Sequence, residues 1–227
     1  MNPNLPSEKK IVNSWFKNAS PWVNTIRDEQ IESRKLVTNQ AIIAAITSRS
    51  PQSVLDIGCG EGWLIRELAT RNIQGVGVDV VPDLIEQAQK MGEGDFRIAS
   101  YEEIAAGQLK IRVDVAVCNF SLFGQESVAA LLGAIPTLLN PQGILIIQTL
   151  HPLMACGDVP YEEGWREGSW VGFSSDFSDP PPWYFRTLES WVRLLTESGF
   201  SLLEIREPLH PHTRKPASII LIARVQD

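Results

Sequence analysis

Cysteine and long apolar runs are scarce in this chain, and each shortage excludes a class of protein. Only three cysteines, Cys59, Cys118 and Cys156, occur among the 227 residues. They are too few and too scattered for a disulfide framework or a cysteine-rich metal cluster. No apolar run approaches the roughly 20 residues that a membrane-spanning helix requires, and residues 1–20 are polar and show no secretory signal. We therefore expect a cytoplasmic protein with no bound metal and no membrane partner.

Positive charge is also in the minority. The chain has 20 Lys and Arg against 27 Asp and Glu, which gives a formal net charge of −7. Nucleic-acid surfaces depend on clustered basic residues, so we do not expect a nucleic-acid partner. Hydrophobic residues make up 44% of the chain, enough for one sizeable core, and this length predicts one main domain with an insertion.

A glycine-rich segment near the first third of the chain indicates a binding site. Residues 53–62 read Ser-Val-Leu-Asp-Ile-Gly-Cys-Gly-Glu-Gly. The apolar run ends at Gly58 and an amphipathic stretch begins after Gly62, which predicts a strand, a tight turn and a helix. Glycine lets a ligand lie directly against the backbone, and the first amides of a helix point into the same space. The segment therefore predicts a site for a nucleotide-type cofactor.

The spacing of the glycines separates the possible cofactors. The dinucleotide fingerprint G-x-G-x-x-G would place its third glycine at position 63, but that residue is Trp63 and the third glycine is Gly62. Asp56 stands two residues before Gly58, where a carboxylate would repel a pyrophosphate but suits a cationic ligand. No G-K-[ST] follows, so a P-loop is excluded.

A second acidic residue supports a nucleoside site. Residues 75–79 read Gly-Val-Gly-Val-Asp, a short buried strand that ends in an acid. Asp79 lies 21 residues after Gly58, and an acid at about that distance reaches the ribose hydroxyls in a βαβ unit. The apolar Val80 follows and is placed to cover one face of an adenine.

Strand and helix patterns alternate from residue 53 onwards. Apolar runs predict strands at 53–57, 75–79, 95–99, 113–118 and 143–150, with a final pair at 200–207 and 218–225. Alternation of this kind predicts an α/β, doubly wound, mostly parallel sheet of seven strands with helices on both faces. The last two strands are joined by a proline-rich turn without a helix, so they should form an antiparallel C-terminal hairpin.

The same patterns predict the domain organisation and the helices. Residues 1–50 should form an N-terminal helical cap, with Leu36, Ile43 and Ile46 on one helix face. Residues 51–227 should form the cofactor-binding domain, with an irregular insertion at about 151–186. A helix should carry apolar residues from Val128 to Leu139, shortened or kinked at Pro136.

The two motifs together resemble a known family. V-L-D-I-G-C-G-E-G followed by G-V-G-V-D is similar to the first two motifs of the class I S-adenosylmethionine (SAM)-dependent methyltransferases, from roughly residue 34 to the C-terminus. The likeness is closest to the small-molecule subgroup that includes quinone-biosynthesis O-methyltransferases. It implies a Rossmann-like fold, SAM as cofactor and S-adenosylhomocysteine (SAH) as product, with no metal.

The resemblance also implies roles for individual residues. Gly58 and Gly60, with Cys59 between them, would contact the methionyl part of SAM, and Asp79 would contact the ribose. Strand ends in an open parallel sheet face the ligand, which adds Ser100 and Tyr101 near the adenine and Asn119 near the methionyl amine. Phe120, at the end of the same strand as Asn119, is a further cofactor-binding candidate. Relatives of the quinone pathway have an arginine that reaches the cofactor carboxylate, and Arg34 is the residue in that place. The alternative for Arg34 is a solvated helix position.

Aromatic residues are concentrated in the predicted insertion. Residues 156–186 contain eight of the 18 aromatic side chains of the chain. A long insertion at the rim of a pocket is often a lid, and aromatic side chains there would exclude water and bind a planar or apolar acceptor. The alternative is a separate hydrophobic cluster that covers the edge of the sheet.

Methyl transfer from a sulfonium needs alignment and desolvation more than side-chain chemistry. If a base is used, His151 is the first candidate, because it ends the fifth strand and its pKa suits proton abstraction near neutrality. Tyr184 is a second candidate. The alternative for His151 is a turn residue bonded to nearby backbone.

The sequence thus predicts a SAM-dependent enzyme that methylates oxygen, nitrogen or carbon of a small-molecule acceptor, as a monomer or homodimer. Three alternatives are open: a nucleic-acid or protein methyltransferase, a non-catalytic SAM-binding protein, and a nicotinamide oxidoreductase. The fourth strand ends Asn119-Phe-Ser-Leu, unlike the N-P-P-Y motif typical of base amino-group methylation. Trp63 disfavours the oxidoreductase.

Overall fold

Residues 8–92 and 94–226 are described by the structure, a computed structural model of the chain. Residues 1–7 of the predicted N-terminal cap and residue 227 of the predicted main domain lie outside the described residues. Within these ranges, no helix is long and apolar enough to cross a membrane.

The strands of the fold are β1 Ser53–Ile57, β2 Gln74–Asp79, β3 Asp95–Ile98, β4 Val113–Asn119, β5 Leu139–Thr149, β6 Gly164–Arg166, β7 Trp183–Phe185, β8 Phe200–Arg206 and β9 Ile219–Val225. At the centre is a seven-stranded sheet with the order β3-β2-β1-β4-β5-β9-β8. Strands β1 to β5 pair in parallel, β9 is antiparallel to both of its neighbours, and the predicted C-terminal hairpin is therefore present. A separate antiparallel pair, β6 and β7, lies in the insertion.

Helices cover both faces of this sheet. They are α1 Glu8–Arg27, α2 Asn39–Thr47, α3 Trp63–Ala69, α4 Pro82–Lys90, α5 Tyr101–Ala105, α6 Glu126–Ala134, α7 Pro152–Ala155 and α8 Leu188–Glu197, with a π-helical turn Arg34–Thr38 and a 3-10 turn Ile135–Leu138. Thr187 caps α8, because its Oγ1 accepts from the Ser190 amide at 3.1 Å.

Two hydrophobic cores hold the helices against the sheet. One contains α6 and α8 residues such as Leu131, Leu132 and Trp191 against the strands. The other, on the opposite face, contains Ile42 and Leu64 from α2 and α3. Each fully buried aliphatic side chain contributes roughly 1.5–3 kcal/mol through the area removed from water, so the doubly wound arrangement is stabilised on both sides.

Two local predictions were wrong. Leu36 does not share the buried face of Ile43 and Ile46, because the π-helical turn shifts the side-chain register and leaves Leu36 40% exposed. Leu139 does not belong to α6, which ends at Ala134. The 3-10 turn over Pro136 follows, and Leu139 is already the first residue of β5.

The order of the sheet reverses direction at β1. Strand β1 has β2 on one side, with Asp56 opposite Gly77, and β4 on the other, with Asp56 opposite Val117. Ligands of open α/β sheets bind outside the carboxyl ends of the strands where the order reverses. The fold therefore places the binding crevice at the ends of β1, β2 and β4.

The insertion has more regular structure than its sequence predicts. It contains α7 and the β6–β7 pair, in which Trp165 lies opposite Tyr184. Between these strands, the loop 167–182 lies against α1. The Asn18 side chain is fully buried and pairs with the Ser178 backbone, donating to its carbonyl at 2.7 Å and accepting from its amide at 2.9 Å. The N-terminal helix and the insertion are thus joined by specific contacts.

Candidate functional site

A cavity of about 830 Å³ lies at the carboxyl ends of β1, β2 and β4. The glycine turn and Asp79 form one side, α1 forms another, and Trp165 of the insertion also lines the cavity. This volume lies in the range of small-molecule and cofactor sites, and the wall is partly aromatic with a few polar groups. The cavity therefore lies where the strand-end rule predicts it.

The glycine turn has the left-handed backbone that its residues favour. Gly58, Gly60 and Gly62 have φ values of +79°, +58° and +83°. A Cβ on Gly58 would lie 2.4 Å from the Cβ of Ser121, so that position has no room for a side chain. Around Gly60 there is space, with the Trp22 Nε1 at 3.7 Å as the nearest atom. The backbone at Gly60 is therefore bare towards the cavity.

Asp79 holds the glycine turn and lines the cavity. Its carboxylate accepts hydrogen bonds from the amides of Gly60 at 2.9 Å and Val81 at 3.0 Å. Burial raises the pKa of Asp79, and the backbone amides of Val81, Gly60 and Val80 oppose that rise. A carboxylate has about four lone-pair sites, so acceptor capacity is left for a ligand.

Asp56 is a buried carboxyl beside Asp79. Its side chain is 2% exposed, and its Oδ1 has no hydrogen-bond partner among the described residues. Burial, together with the charge of Asp79, raises the pKa of Asp56 to about 7, while Arg34 acts in the opposite direction. A buried acid of this kind favours a positively charged neighbour.

Arg34 lines the same cavity and begins the π-helical turn. Its guanidinium carbon lies 5.0 Å from the ring centre of Trp63 and 6.0 Å from that of Trp22. The Nε donates to Asn39 Oδ1 at 3.3 Å, and the buried Nη2 has no partner in the described ranges. Burial lowers the pKa of Arg34 to about 10, so the group is charged at neutral pH. The structure thus brings Arg34 to the cavity.

Ser100 and Tyr101 also line the cavity, but their hydroxyls serve the fold. Ser100 Oγ accepts from the Glu103 amide at 3.1 Å while the Glu103 carboxylate accepts from the Ser100 amide at 2.7 Å, which is a capping box for α5. The Tyr101 hydroxyl donates to the Ser121 carbonyl at 3.0 Å, and burial raises the pKa of Tyr101.

Four further predicted residues lie at the cavity, namely Cys59, Val80, Asn119 and Phe120. Cys59 packs in a small core with Phe96, and burial raises its pKa well above the usual range, so its thiol is a turn filler. Asn119 has a buried Oδ1 without a partner in the part of the chain that the structure describes. Phe120 has a φ of +53°, and its amide donates to the Gln148 carbonyl at 2.8 Å.

The two predicted base candidates are not brought to the cavity. His151 is buried, its Nε2 lies 2.7 Å from Glu207 Oε1, and it is absent from the cavity wall. After β5 the chain turns into α7, which directs this ring towards the segment that follows β8. Tyr184 is also outside the wall and stacks with Arg186, 4.9 Å from the ring centre to the guanidinium carbon.

Sequence reasoning missed the contribution of α1. Trp15 and Trp22 line the cavity, and their rings contact each other at 5.1 Å. Their spacing of seven residues was the available signal, because such residues share one helix face. Glu61 was missed too: it lines the cavity with a 1% exposed side chain and bridges Arg66 at 2.6 Å and Arg27 at 3.6 Å.

Within residues 8–92 and 94–226, no group of three or more His, Cys, Asp or Glu side chains is placed to hold a metal ion. The arrangement at the cavity instead consists of a bare glycine turn, three carboxyls, those of Asp56, Glu61 and Asp79, and an arginine. These groups suit an organic ligand that carries charges of both signs.

A family comparison agrees with this geometry. The sequence matches the model of a family described as "Methyltransferase domain" over residues 29–205. Because this range is well over half of the chain, the chain belongs to that methyltransferase family. The resemblance carried by the glycine turn and Asp79 is thereby confirmed.

Curated relatives match the same region. The chain is 33% identical over 118 residues to the ubiquinone biosynthesis O-methyltransferase of Xylella fastidiosa (strain M23), covering 50% of this chain and 48% of that protein. A protein of the same name from Xanthomonas oryzae pv. oryzae (strain PXO99A) is 33% identical over 103 residues, 43% of each chain. The chain therefore spans about half the length of the curated relatives it matches.

Solved structures share the whole fold. An S-adenosylmethionine-dependent methyltransferase from Clostridium acetobutylicum matches with a TM-score of 0.67 at 12% identity, over 92% of this chain and 98% of that one. The 1,6-didemethyltoxoflavin-N1-methyltransferase of Burkholderia thailandensis, with bound 1,6-didemethyltoxoflavin and SAH, matches with a TM-score of 0.66 at 19% identity, over 100% and 94%. At these identities the likeness shows the fold, and it confirms the predicted fold class.

Proposed function

We propose that the protein transfers a methyl group from SAM to a small-molecule acceptor and releases SAH. One observation carries this proposal. Four buried polar atoms without a hydrogen-bond partner among the described residues, Arg34 Nη2, Asp56 Oδ1, Glu61 Oε1 and Asn119 Oδ1, belong to residues that line one cavity. Buried polar groups are costly when unpaired, so the set indicates a ligand with an anionic and a cationic group. The amino-acid end of SAM has both.

The other predicted residues complete the cofactor site in this proposal. The backbone of Gly58, Cys59 and Gly60 lies along the methionyl part, and the free lone pairs of Asp79 accept from the ribose hydroxyls. Val80 and the rim formed by Ser100, Tyr101 and Phe120 surround the remaining nucleoside. SAM supplies an activated sulfonium methyl group. The acids Asp56 and Asp79 favour the positive charge of the bound cofactor.

Aromatic walls define the proposed acceptor side. Phe120, Phe123 and Trp165 line the cavity, and Trp170 packs on Trp15 with ring centres 5.9 Å apart. These walls exclude water and align a planar acceptor with the methyl group, and alignment and desolvation account for most of the rate in such a transfer. We propose an aromatic small molecule as acceptor. Because His151 and Tyr184 lie outside the wall, no proton transfer is assigned to them.

A mass-shift screen tests the proposal. The protein is incubated with SAM that carries a deuterated methyl group and with small phenols, quinone precursors, amines and carboxylic acids. The expected result is one acceptor class that gains a CD3 group, with equimolar SAH. If SAM saturates the protein but no acceptor class leads to SAH, the result would identify a non-catalytic SAM-binding protein instead. A matched reaction with Asp79→Asn separates enzymatic from chemical methylation.

A cytoplasmic location and a monomeric or homodimeric state are further proposals. All three cysteines are free in the structure, which agrees with a reducing compartment. Fractionation of cells and light scattering of the purified protein test the two statements. Recovery outside the cytoplasmic fraction, or a larger assembly, would overturn them.

A further inference from the structure

Arg186 is a buried cation outside the cofactor site. It follows β7 directly and is 5% exposed. Its guanidinium lies between two aromatic rings, 4.9 Å from the centre of Tyr184 and 5.0 Å from that of Trp191. The Nη2 donates to the Gln125 carbonyl at 3.0 Å, whereas the Nη1 has no hydrogen-bond partner among the residues described. Burial lowers the pKa of Arg186 to about 10, so the side chain carries its charge at neutral pH.

The two acids whose charges act on the pKa of Arg186, Glu8 and Glu163, are already engaged. The Glu8 carboxylate accepts from the amides of Gln125, Glu126 and Ser127, at distances between 2.6 and 3.2 Å, and so caps the N-terminus of α6. Glu163 pairs with Arg193 at 3.0 Å. Both acids influence the pKa of Arg186 through charge alone. A buried cation without a bonded counter-charge is costly, which indicates a partner outside the chain.

A small cavity of about 30 Å³, with room for one small polar group, lies beside this side chain. Arg186 lines it together with Phe120, Phe123, Tyr184 and Trp191. Phe120 and Phe123 line the large cavity as well, so the two cavities share a wall. The Tyr184 amide donates to the Phe123 carbonyl at 2.7 Å, which fixes β7 beside that wall. The cation therefore lies on the side of the fold that the proposed function assigns to the acceptor.

We propose that Arg186 forms an anion subsite for the acceptor and that the acceptor carries a carboxylate. This inference rests on the proposed function and narrows its substrate class to aromatic acids. A guanidinium matches a carboxylate through parallel N–H donors, and Nη1 is free to donate. The rings of Tyr184 and Trp191, which contact the guanidinium, hold it in place.

The alternative is a purely structural arginine, balanced by the distant charges of Glu8 and Glu163 and by the two rings. The two explanations differ in what they predict for binding. A structural arginine affects stability and treats charged and neutral acceptors alike. An anion subsite distinguishes an acid from its own ester.

Matched pairs of acids and methyl esters test the inference. Calorimetry with saturating SAH is run on 4-hydroxybenzoate, 3,4-dihydroxybenzoate and 4-hydroxycinnamate, each against its methyl ester. We expect at least one acid to bind tenfold or more tightly than its ester. In Arg186→Met this preference should fall to about one. Arg186→Lys, which keeps the charge but not the planar fork, should keep part of it. Lys90→Met, at an exposed cation of α4 that pairs with Glu86, should change nothing.

The acid-to-ester ratio of the unmodified protein is informative even if Arg186→Met does not fold. If no acid of the panel binds better than its ester, or if the preference persists in Arg186→Met, the inference is wrong. Failure of SAH itself to bind would instead overturn the proposed function. The two failures are therefore distinguishable in one titration series.

Discussion

The carboxylate of Asp79 accepts a hydrogen bond from the amide of Gly60 at 2.9 Å. The acid that ends β2 therefore holds the glycine turn that ends β1, although 19 residues separate them. This contact explains why an acid and a bare turn occur together: one group fixes the conformation of the other, and both face the same cavity. Fixing the turn before a ligand arrives reduces the ordering cost of binding.

Replacement of Asp79 should weaken cofactor binding more than it weakens the fold. Asp79→Asn keeps an acceptor oxygen for one of the two backbone amides, turns its NH2 group towards the other, and removes the charge that we propose faces the ribose. Hydrogen bonds to charged groups contribute about 1.5–3 kcal/mol, so we expect the Kd for SAH to rise about 10- to 100-fold, as measured by calorimetry. Asp95→Asn, at an exposed acid that pairs with Arg97, is the control. An unchanged Kd in Asp79→Asn would remove this residue from the site.

Replacement of Arg34 should weaken the binding only of ligands that contain the amino-acid end of the cofactor. In Arg34→Met, the Kd for SAH should rise at least tenfold because the buried Nη2 no longer meets the cofactor carboxylate. The Kd for 5′-methylthioadenosine, which lacks the amino-acid end, should stay the same. Lys35→Met, at the exposed neighbouring position, is the control. A loss of affinity for both ligands would assign Arg34 to the fold rather than to the carboxylate.

Much of the fold could be predicted because its signals are local. The apolar run 53–57 ends at a glycine turn, and β1 spans those residues; a proline suits the first turn of a helix, and α4 begins at Pro82. The cavity residues follow from one rule, since parallel strands bring Gly58, Asp79 and Asn119 to the same edge of the sheet.

The features that were missed depend on contacts between distant segments. The π-helical turn at Arg34–Thr38 has no signal in a single sequence, yet it sets the position of Arg34 and exposes Leu36. His151 has the residue type of a base, but its contact with Glu207 lies 56 residues away and outside the cavity. Among the described residues, Arg186 has no acid bonded to its guanidinium. This could not be predicted from the sequence either, because it depends on which acids are engaged elsewhere.

The buried acids predict a pH dependence of stability. The folded-state pKa of Asp56 is raised from 3.8 to about 7, so the folded protein holds a proton that the unfolded chain releases. The contribution of Asp56 to the stability of the folded state is complete below about pH 4 and is lost as the pH rises through about 7. The raised pKa of Asp79 acts with the same sign, whereas the lowered pKa of Asp114 acts oppositely and only at acid pH.

Between pH 5 and pH 8 we therefore expect the melting temperature of the ligand-free protein to fall, by differential scanning fluorimetry. Asp56→Asn should remove most of this slope, because an amide cannot ionise. SAM carries positive charge and favours the ionised acid, so its affinity should rise over the same interval. A melting temperature that rises from pH 5 to pH 8, or a slope unchanged in Asp56→Asn, would contradict the assignment.

Two glycines of the turn should respond differently to alanine. Gly58→Ala places a Cβ 2.4 Å from the Ser121 Cβ, so the free energy of unfolding should fall by about 2–5 kcal/mol. Gly60→Ala has space and should cost about 1–2 kcal/mol for its left-handed backbone. Urea unfolding at constant pH measures both values. Equal losses would show that the contact with Ser121 is relieved without cost.

The contact between α1 and the insertion should control the mobility of residues 167–182. Asn18→Ala removes both hydrogen bonds to the Ser178 backbone, so amide hydrogen exchange across residues 167–182 should speed up at least tenfold. Asn24→Ala, at an exposed position of the same helix, should leave that exchange unchanged. Identical exchange in the two variants would show that the aromatic contacts alone hold the insertion against α1.

The central claim is that the cavity beside the glycine turn binds SAM. Isothermal titration calorimetry of the unmodified protein with SAM, SAH and NAD measures this most directly. We predict saturable binding of SAM and SAH at one site per chain, and no heat of binding with NAD. Binding of NAD with no response to SAM or SAH would contradict the account.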